Sequence, residues 1–196
     1  TVAALGERVA GWKTSITPSG VMRGAILGSR LLASSATLAA KQVPLLGIEA
    51  EIAFRFDRDL PPREHEYTRD EITEAVTALV GIEIVASRFQ SYQDTPMLDR
   101  TADCMSNGAF VVGTIRPDWR RFDLAGLEAV LTINGRVVVQ QRGGHPTGDP
   151  LLPAIALVNA LRAETGVQAG QIITTGTYTG LHFGAPGDHA TVDFTG

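Results

Sequence analysis

The chain has 196 residues, of which 44% are hydrophobic and 19% charged, a balance typical of a globular protein and not of a disordered one. Its net charge of −4, without any cluster of lysine or arginine, argues against nucleic-acid binding. Its single cysteine, Cys104, excludes an internal disulfide and a cysteine-based zinc site and fits a reducing, cytoplasmic location. No apolar run approaches the ~18 residues that span a bilayer, so we expect no membrane contact.

The length of the chain fits one domain covering residues 1–196. The chain begins at Thr1, and it ends at Gly196 inside a predicted strand. We therefore expect a single domain that is trimmed at both ends.

The first half of the chain contains a short strand, a long strand and a polar loop. The strand at 12–16 is ended by Pro18 and Gly20, and the long strand at 44–56 runs into the loop at 57–67. These boundaries predict extended structure up to the first helix.

The clearest helix signal follows that loop. Thr68 and Glu71 have the spacing of a capping box. The apolar residues that follow have helical spacing and are Ile72, Ala75, Val76, Leu79 and Val80. The pattern predicts a helix over 69–80 that ends at Gly81, followed by a strand with Glu83 near its start.

The second half of the chain is rich in strands. It contains a predicted strand at 108–115, a hairpin around Asn134-Gly135, a helix at 149–165, and late strands at 171–180 and 189–194. Strands and hairpins with two firm helices, and without regular strand–helix alternation, predict an α+β fold built on mainly antiparallel sheet.

Two acids stand on one face of the long strand. Glu49 and Glu51 are two residues apart, so their side chains point the same way and repel each other unless a cation lies between them. Glu83 lies in another apolar strand and is the best candidate for a third ligand. Carboxylate oxygens select hard ions such as Mg²⁺ or Mn²⁺. Spacing alone leaves open the alternative that Glu49 and Glu51 line the solvent face of an edge strand.

Several blocks of the sequence resemble the 2-keto-4-pentenoate hydratase and oxalocrotonate decarboxylase branch of the fumarylacetoacetate hydrolase superfamily. The blocks, in chain order, are GWKTSIT, GIEAEIAFRFDRDLP, YTRDEITEAVTALVGIEIVASRF, DRTADCMSNGAFVVG and IITTGTYTG. The resemblance covers most of the chain. It implies a β-rich roll of mixed sheet with a few flanking helices, one catalytic domain, and a Mg²⁺ or Mn²⁺ site formed by Glu49, Glu51 and Glu83.

The resemblance also implies roles for residues around the metal. Lys13 matches a lysine that serves as general acid or base, with a pKa that a nearby cation is expected to depress. Ser106 matches a polar position close to the substrate, and Thr175 with Gly176 matches a segment that receives the substrate carboxylate. Each of these residues also has an ordinary structural interpretation: a surface ion pair for Lys13, a turn hydroxyl for Ser106 and a strand-end turn for 175–176.

Two arginines complete the candidate site. Arg88 is a candidate partner for an acid of the site or for a distal substrate carboxylate, with a structural ion pair as the alternative. Arg23 stands where family hydratases carry an acid, which suggests a more anionic substrate.

The activity implied by the resemblance is that of a metal-dependent lyase in aromatic-compound catabolism. Its small-molecule substrates are 2-oxo or 2-hydroxy-dienoic acids that chelate the ion and pass through an enolate, followed by hydration or decarboxylation. Two alternatives remain: a C–C bond hydrolase of the acylpyruvate type, with His65 and His145 as weak candidates for water activation, and a degenerate member that binds metal and ligand without turnover. Family members assemble as homo-oligomers, which we expect here too.

Overall fold

The computed structural model describes residues 2–196 and contains strands with three short α-helices. The strands are β1 Val9–Thr17, β2 Gly20–Leu27, β3 Leu31–Ala33, β4 Gly47–Phe56, β5 Val76–Val85, β6 Asn107–Arg116, β7 Glu128–Ile133, β8 Arg136–Arg142, β9 Ile172–Thr177, β10 His182–Phe183 and β11 Ala190–Thr195. The helices are α1 Arg69–Ala75, α2 Met97–Ala102 and α3 Leu151–Leu161.

The main sheet is mixed and curls into a half-barrel. Its strand order is β2-β1-β9-β4-β5-β6-β3, with β10 also pairing with β4. The β1–β9 and β3–β6 pairs are parallel, and the remaining pairs are antiparallel. The predicted α+β class with a β-rich roll is confirmed.

A second, three-stranded sheet has the order β11-β7-β8. The β7–β8 hairpin turns at Asn134 and Gly135, whose φ angles of 52° and 75° are those of a tight primed turn. The hairpin predicted from the Asn-Gly pair is therefore confirmed.

Helix α3 contacts β1, β2 and β9, and it buries one face of the main sheet. The core on this side joins Phe54 and Phe56 of β4, Ile173 of β9 and Leu157 of α3, all fully buried. A smaller cluster lies on the other face and includes Ile26, Ala53, Leu79 and Phe110. The candidate metal ligands Glu49, Glu51 and Glu83 lie on this second face.

The helix expected over 69–80 is wrong in its second half. The Thr68–Glu71 capping box forms, but α1 ends at Ala75 and β5 begins at the next residue. β-branched residues are frequent in the misassigned stretch, and such residues favour a strand once a partner is available. Pairing with β4 from Phe56–Val76 to Gly47–Val85 supplies that partner.

Within residues 2–196, we find no helix that is both long enough and apolar enough to cross a membrane.

Candidate metal centre

Three carboxylates converge where β4 and β5 pair. Glu49 is the direct cross-strand partner of Glu83, and Glu51 stands two residues further along β4 on the same face. One carboxylate oxygen from each of the three residues lies within 4.8 Å of the others. Glu51 and Glu83 are fully buried, the Glu49 side chain is 13% exposed, and β4 lies between β9 and β5. The alternative in which Glu49 and Glu51 line the solvent face of an edge strand is therefore wrong.

A glycine opposite Glu51 allows an aromatic ring to pack beside the acids. Gly81 is the cross-strand partner of Glu51, and a Cβ at Gly81 would lie 2.2 Å from Cζ of Phe110. Phe110 is fully buried, and its ring could not keep this position if residue 81 carried a side chain. The acids therefore have a buried apolar side chain beside them, where each charge is poorly screened.

Lys13 is the cation that these acids surround. It lies on β1, in register with Thr174 of β9, and its Nζ is 3.0 Å from Oε1 of Glu83 and 3.6 Å from Oε2 of Glu49. Its side chain is 16% exposed. One ammonium for three carboxylates leaves the cluster with an excess of negative charge.

The pKa shifts in the cluster follow from burial and charge. Burial acts to lower the pKa of Lys13, but the three carboxylates outweigh burial and the net shift is upward. Burial raises the pKa of Glu49, although Lys13 opposes it. Burial, with the charges of Glu83 and Glu49, raises the pKa of Glu51 well above its usual range. The chain's own charges thus act on Lys13 in the direction opposite to the depression expected from the sequence.

The donors around Glu51 satisfy only one of its oxygens. Oε2 accepts hydrogen bonds from the Thr174 hydroxyl and from the Gly176 N–H, the latter at 3.2 Å. Oε1 of Glu51 and Oε2 of Glu83 are buried, and the part of the chain that the structure describes offers them no hydrogen-bond partner. Buried carboxylate oxygens that lack donors need a positive charge, and an all-oxygen set suits a hard divalent ion. The three acids therefore fit Mg²⁺ or Mn²⁺.

A tight turn between α2 and β6 brings Ser106 and Asn107 to the same region. The Asn107 side-chain amide donates to Oε1 of Glu83 at 3.0 Å. Ser106 is buried, and its hydroxyl has no hydrogen-bond partner among the described residues 2–196. A Cβ at Gly24, the cross-strand partner of Lys13, would lie 2.3 Å from the Cys104 carbonyl, so this glycine lets the turn approach β2.

The two arginines of the predicted site are engaged elsewhere. Arg23 pairs with Thr14 across β1 and β2, so it points to the face opposite Lys13. Its guanidinium binds Glu164 at 2.7 Å and lies over the Trp12 ring. Arg88 pairs with Asp103. The structure therefore does not bring Arg23 to the acids, and it ties Arg88 to the turn.

The predicted 175–176 segment lies beside Glu51, but its hydroxyl does not face the acids. Thr175 donates its hydroxyl to the Ile52 carbonyl at 3.0 Å, whereas Gly176 presents its N–H to Glu51. Behind this turn, His145 is buried with Nε2 3.0 Å from the Thr175 carbonyl and Nδ1 3.0 Å from the Thr147 hydroxyl. Burial lowers the pKa of His145.

Two residues in contact with the acids were missed from the sequence, Thr174 and Asn107. Thr174 precedes the predicted Thr175 and points to the opposite face of β9. A prediction that is wrong by one residue therefore selects the side chain on the wrong face of the strand. Asn107 follows the predicted Ser106. The pairing of Thr174 with Lys13 would have indicated the first of them, had the β1–β9 register been known.

Comparison with known proteins identifies the family. The family described as fumarylacetoacetate (FAA) hydrolase C-terminal matches residues 6–196. The chain belongs to this family. It is 33% identical over 184 residues to a 2-keto-4-pentenoate hydratase of Paraburkholderia phymatum, covering 89% of this chain and 70% of the relative. It is 32% identical over 117 residues to a 4-oxalocrotonate decarboxylase of Pseudomonas putida, covering 59% of this chain and 44% of that one. The resemblance predicted from the sequence is confirmed.

Solved structures agree on the fold. The 4-oxalocrotonate decarboxylase of Pseudomonas putida, complexed with magnesium and adipate, superposes with a TM-score of 0.81 at 22% identity, covering 98% of this chain and 76% of that chain. A fumarylpyruvate hydrolase of Pseudomonas aeruginosa, in complex with Mn²⁺ and pyruvate, gives a TM-score of 0.65 at 12% identity, covering 94% and 84%. At these identities the likeness concerns the fold alone.

Proposed function

We propose that this chain is a Mg²⁺- or Mn²⁺-dependent lyase of the hydratase or decarboxylase type, acting on 2-oxo or 2-hydroxy-dienoic acids. The observation that carries the proposal is the cluster of Glu49, Glu51 and Glu83, which contains two buried carboxylate oxygens without donors. The names of the relatives, hydratase and decarboxylase, supply the reaction type.

The three acids would hold the ion. When bound, the ion supplies Lewis-acid stabilisation of negative charge that develops on a substrate oxygen. The excess negative charge of the cluster, left by a single lysine, provides the attraction for a divalent cation. Thr174 and Gly176 fix one oxygen of Glu51, and Asn107 fixes one oxygen of Glu83, so the ligand oxygens are held in place before the ion arrives.

Lys13 is the proposed proton carrier. Its ammonium lies against Glu83, and the surrounding carboxylates keep its proton at Nζ. From this position Nζ could deliver a proton to a substrate carbon or oxygen that lies over the acids once a bound divalent ion offsets the carboxylate charge that raises the pKa of Lys13. The buried Ser106 hydroxyl, which has no hydrogen-bond partner among residues 2–196, is the proposed substrate contact on the turn that packs against Gly24.

The charges around the site favour a substrate with a single carboxylate. Arg23 and Arg88 were the sequence candidates for a distal carboxylate, but Arg23 binds Glu164 on the other face of the sheet and Arg88 binds Asp103. A dicarboxylate would need a cation at its far end. We therefore propose hydration of a monocarboxylic dienoate as the preferred reaction. Assembly as a homo-oligomer stays a prediction.

The hydrolase alternative has less support in the described residues. Both ring nitrogens of His145 contact oxygens of Thr175 and Thr147. His65 is exposed in the loop before α1. Neither histidine offers a free nitrogen directed at the acids, as activation of water by a histidine would require.

The test is a turnover assay with a substrate pair. Freshly prepared 2-hydroxypenta-2,4-dienoate and 2-oxohex-3-enedioate are offered with Mg²⁺ or Mn²⁺, and the products are identified by mass. We expect gain of water on the monocarboxylate, dependence on the divalent ion, and loss of turnover in Glu51→Gln. The exposed Glu74→Gln variant is the matched control, because it makes the same chemical change on α1.

Other outcomes of this assay separate the alternatives. Preferential loss of CO₂ from the dicarboxylate would overturn the hydration proposal and support the decarboxylase type. Cleavage of acylpyruvates, with both dienoates unchanged, would indicate the hydrolase. Retained binding of the ion through Glu51 without any turnover would indicate a degenerate member.

A further inference from the structure

The turn that carries Ser106 has an unusual backbone. Cys104, Met105 and Ser106 have φ angles of 53°, 54° and 60°, so three consecutive residues with side chains occupy the left-handed region. L-residues other than glycine avoid this region because Cβ approaches the following carbonyl oxygen. Such a conformation persists only where the surrounding contacts impose it.

Arg88 and Asp103 supply those contacts. The Arg88 guanidinium binds the Asp103 carboxylate and also donates to two carbonyls, that of Asp103 at 2.7 Å and that of Asn107 at 2.9 Å. The backbone N–H of Arg88 donates to the other carboxylate oxygen of Asp103 at 3.1 Å. The arginine thus holds both ends of the turn from 103 to 107.

The turn is also fixed from inside. The Ser106 N–H donates to the Asp103 carbonyl, and the Ala86 N–H donates to the Ser106 carbonyl, both at 2.8 Å. The Cys104 carbonyl packs against Gly24 of β2, so closely that a Cβ at position 24 would clash with it. The conformation of the turn therefore decides where Ser106 and Asn107 stand relative to Lys13 and Glu83.

We infer that Arg88 and Asp103 form a positioning pair that holds the 104–106 turn in its left-handed conformation and so places Ser106 and Asn107 at the acidic cluster. The catalytic part of this inference rests on the proposed function; the structural part does not. Arg88 then acts through the turn, and its donors are not directed at a substrate carboxylate.

Amide hydrogen exchange tests the structural part without any substrate. Arg88→Gln and Asp103→Asn are compared with Arg116→Gln, which removes an exposed arginine from another Arg–Asp pair. We expect exchange in peptides covering 86–88 and 103–107 to rise about 10-fold or more in the first two variants, with the rest of the chain unchanged. Unchanged exchange at these peptides in both variants would overturn the inference.

Kinetics test the catalytic part. A displacement of about 1 Å in a site can lower the rate about 100-fold. We expect kcat to fall about 10- to 100-fold in Arg88→Gln and in Asp103→Asn, with KM within about 3-fold of wild type. The kcat of the double variant should equal that of either single variant, because both substitutions remove the same ion pair. An additive double variant, or a raised KM in Arg88→Gln alone, would instead assign Arg88 to substrate binding.

Glycine at position 105 provides a rescue that only a conformational role predicts. Met105→Gly removes the penalty for positive φ, whereas Met105→Ala removes the side chain and keeps the penalty. In the Arg88→Gln background we expect glycine, and not alanine, to restore slow exchange at 103–107 and most of kcat. Equal effects of the two substitutions would contradict the inference. If the wild type turns over none of the compounds offered, the proposed function fails, and the exchange experiment still decides whether the pair holds the turn.

Discussion

Glu49 and Glu83 face each other as direct partners across β4 and β5, and both lie within 4 Å of the Lys13 ammonium. Like charges in direct cross-strand contact weaken a strand pair, and burial adds a desolvation cost. Glu51 brings a third carboxylate to the same place. The centre of the main sheet therefore carries a destabilising arrangement, which a bound cation would relieve.

Neutralising one acid should stabilise the protein when no divalent ion is present. Glu51 is buried, its pKa is raised, and it makes no direct ion pair with Lys13 within 4 Å. We expect Glu51→Gln to raise the free energy of unfolding by about 1 kcal/mol or more in EDTA, because the neutral amide avoids the desolvation cost of a buried charge and its repulsion by Glu49 and Glu83. Urea unfolding measures this.

The same variant should lose its response to metal. Wild type should gain stability with added Mg²⁺ by mass action, and Glu51→Gln should gain much less. The control is Glu74→Gln on the exposed face of α1. A less stable Glu51→Gln in EDTA would show that the acids repel each other less than the geometry indicates.

Removal of Lys13 should separate ion binding from catalysis. Lys13→Gln deletes the cation that competes for Glu49 and Glu83, so we expect Mn²⁺ affinity, measured by calorimetry, to stay equal or increase. We expect kcat to fall about 100-fold or more, the usual contribution of a general acid or base. In EDTA the variant should be about 3 kcal/mol less stable, because breaking a buried pair leaves uncompensated charge. Turnover close to wild type would remove Lys13 from the mechanism.

Glu71 should make stability depend on acid pH. The Arg63 guanidinium and the Thr68 N–H lower the pKa of Glu71 from 4.5 to about 2. A depressed folded-state pKa stabilises the native state fully above pH 4.5, and this contribution is lost as pH falls toward 2.

Urea midpoints of wild type and Glu71→Gln should therefore differ at pH 7 and approach each other at pH 3. Glu66→Gln, whose carboxylate is 3.8 Å from Arg162, is the control and should change the midpoint less. A difference that stays constant from pH 7 to pH 3 would contradict the assignment.

His145 should make the protein sensitive to mild acid. Burial lowers its pKa from 6.5, so the unfolded chain binds a proton before the native state does, and stability decreases as pH falls below 6.5. We expect His145→Gln to lower stability at pH 8 by about 1–3 kcal/mol, because the Thr175 carbonyl loses its buried partner. The decrease below pH 6.5 should become shallower. The exposed His65→Gln variant should leave stability at pH 8 unchanged.

Arg23 should prove dispensable for substrate binding. Its exposed ion pair with Glu164 on the opposite face is worth no more than about 1 kcal/mol after solvent screening. We expect Arg23→Gln to leave KM within about 2-fold for both dienoates. A large rise in KM for the dicarboxylate alone would bring Arg23 back to the site.

The sequence predicted the site best where the residues of a single strand were enough to reveal it. Glu49 and Glu51 reveal their common face by spacing alone, and Glu83 is conspicuous because it interrupts an apolar run. The position of Arg23 could not be predicted in this way. Its facing depends on the β1–β2 register, in which Arg23 pairs with Thr14 and its neighbour Gly24 pairs with Lys13.

Residues 76–80 show a second limit of sequence patterns. Val76, Leu79 and Val80 have helical spacing after Ile72, but they also begin a nearly continuous apolar run that suits a buried strand. A local pattern cannot decide between these states, because the deciding contacts come from β4, twenty or more residues earlier in the chain. The role of Asn107 depends on a similar long-range contact with Glu83.

The direct junction of α1 with β5 limits how the length of this gene can vary during evolution. Ala75 ends the helix and Val76 starts the strand, so no loop exists there to absorb an inserted or deleted codon. The Thr68 cap fixes the start of α1, and pairing with β4 fixes β5, so a change of one residue between them would turn Glu83 to the opposite face of the sheet. Homologous genes should therefore accumulate insertions in the loops at 57–67 and 89–96 and avoid them between 68 and 85.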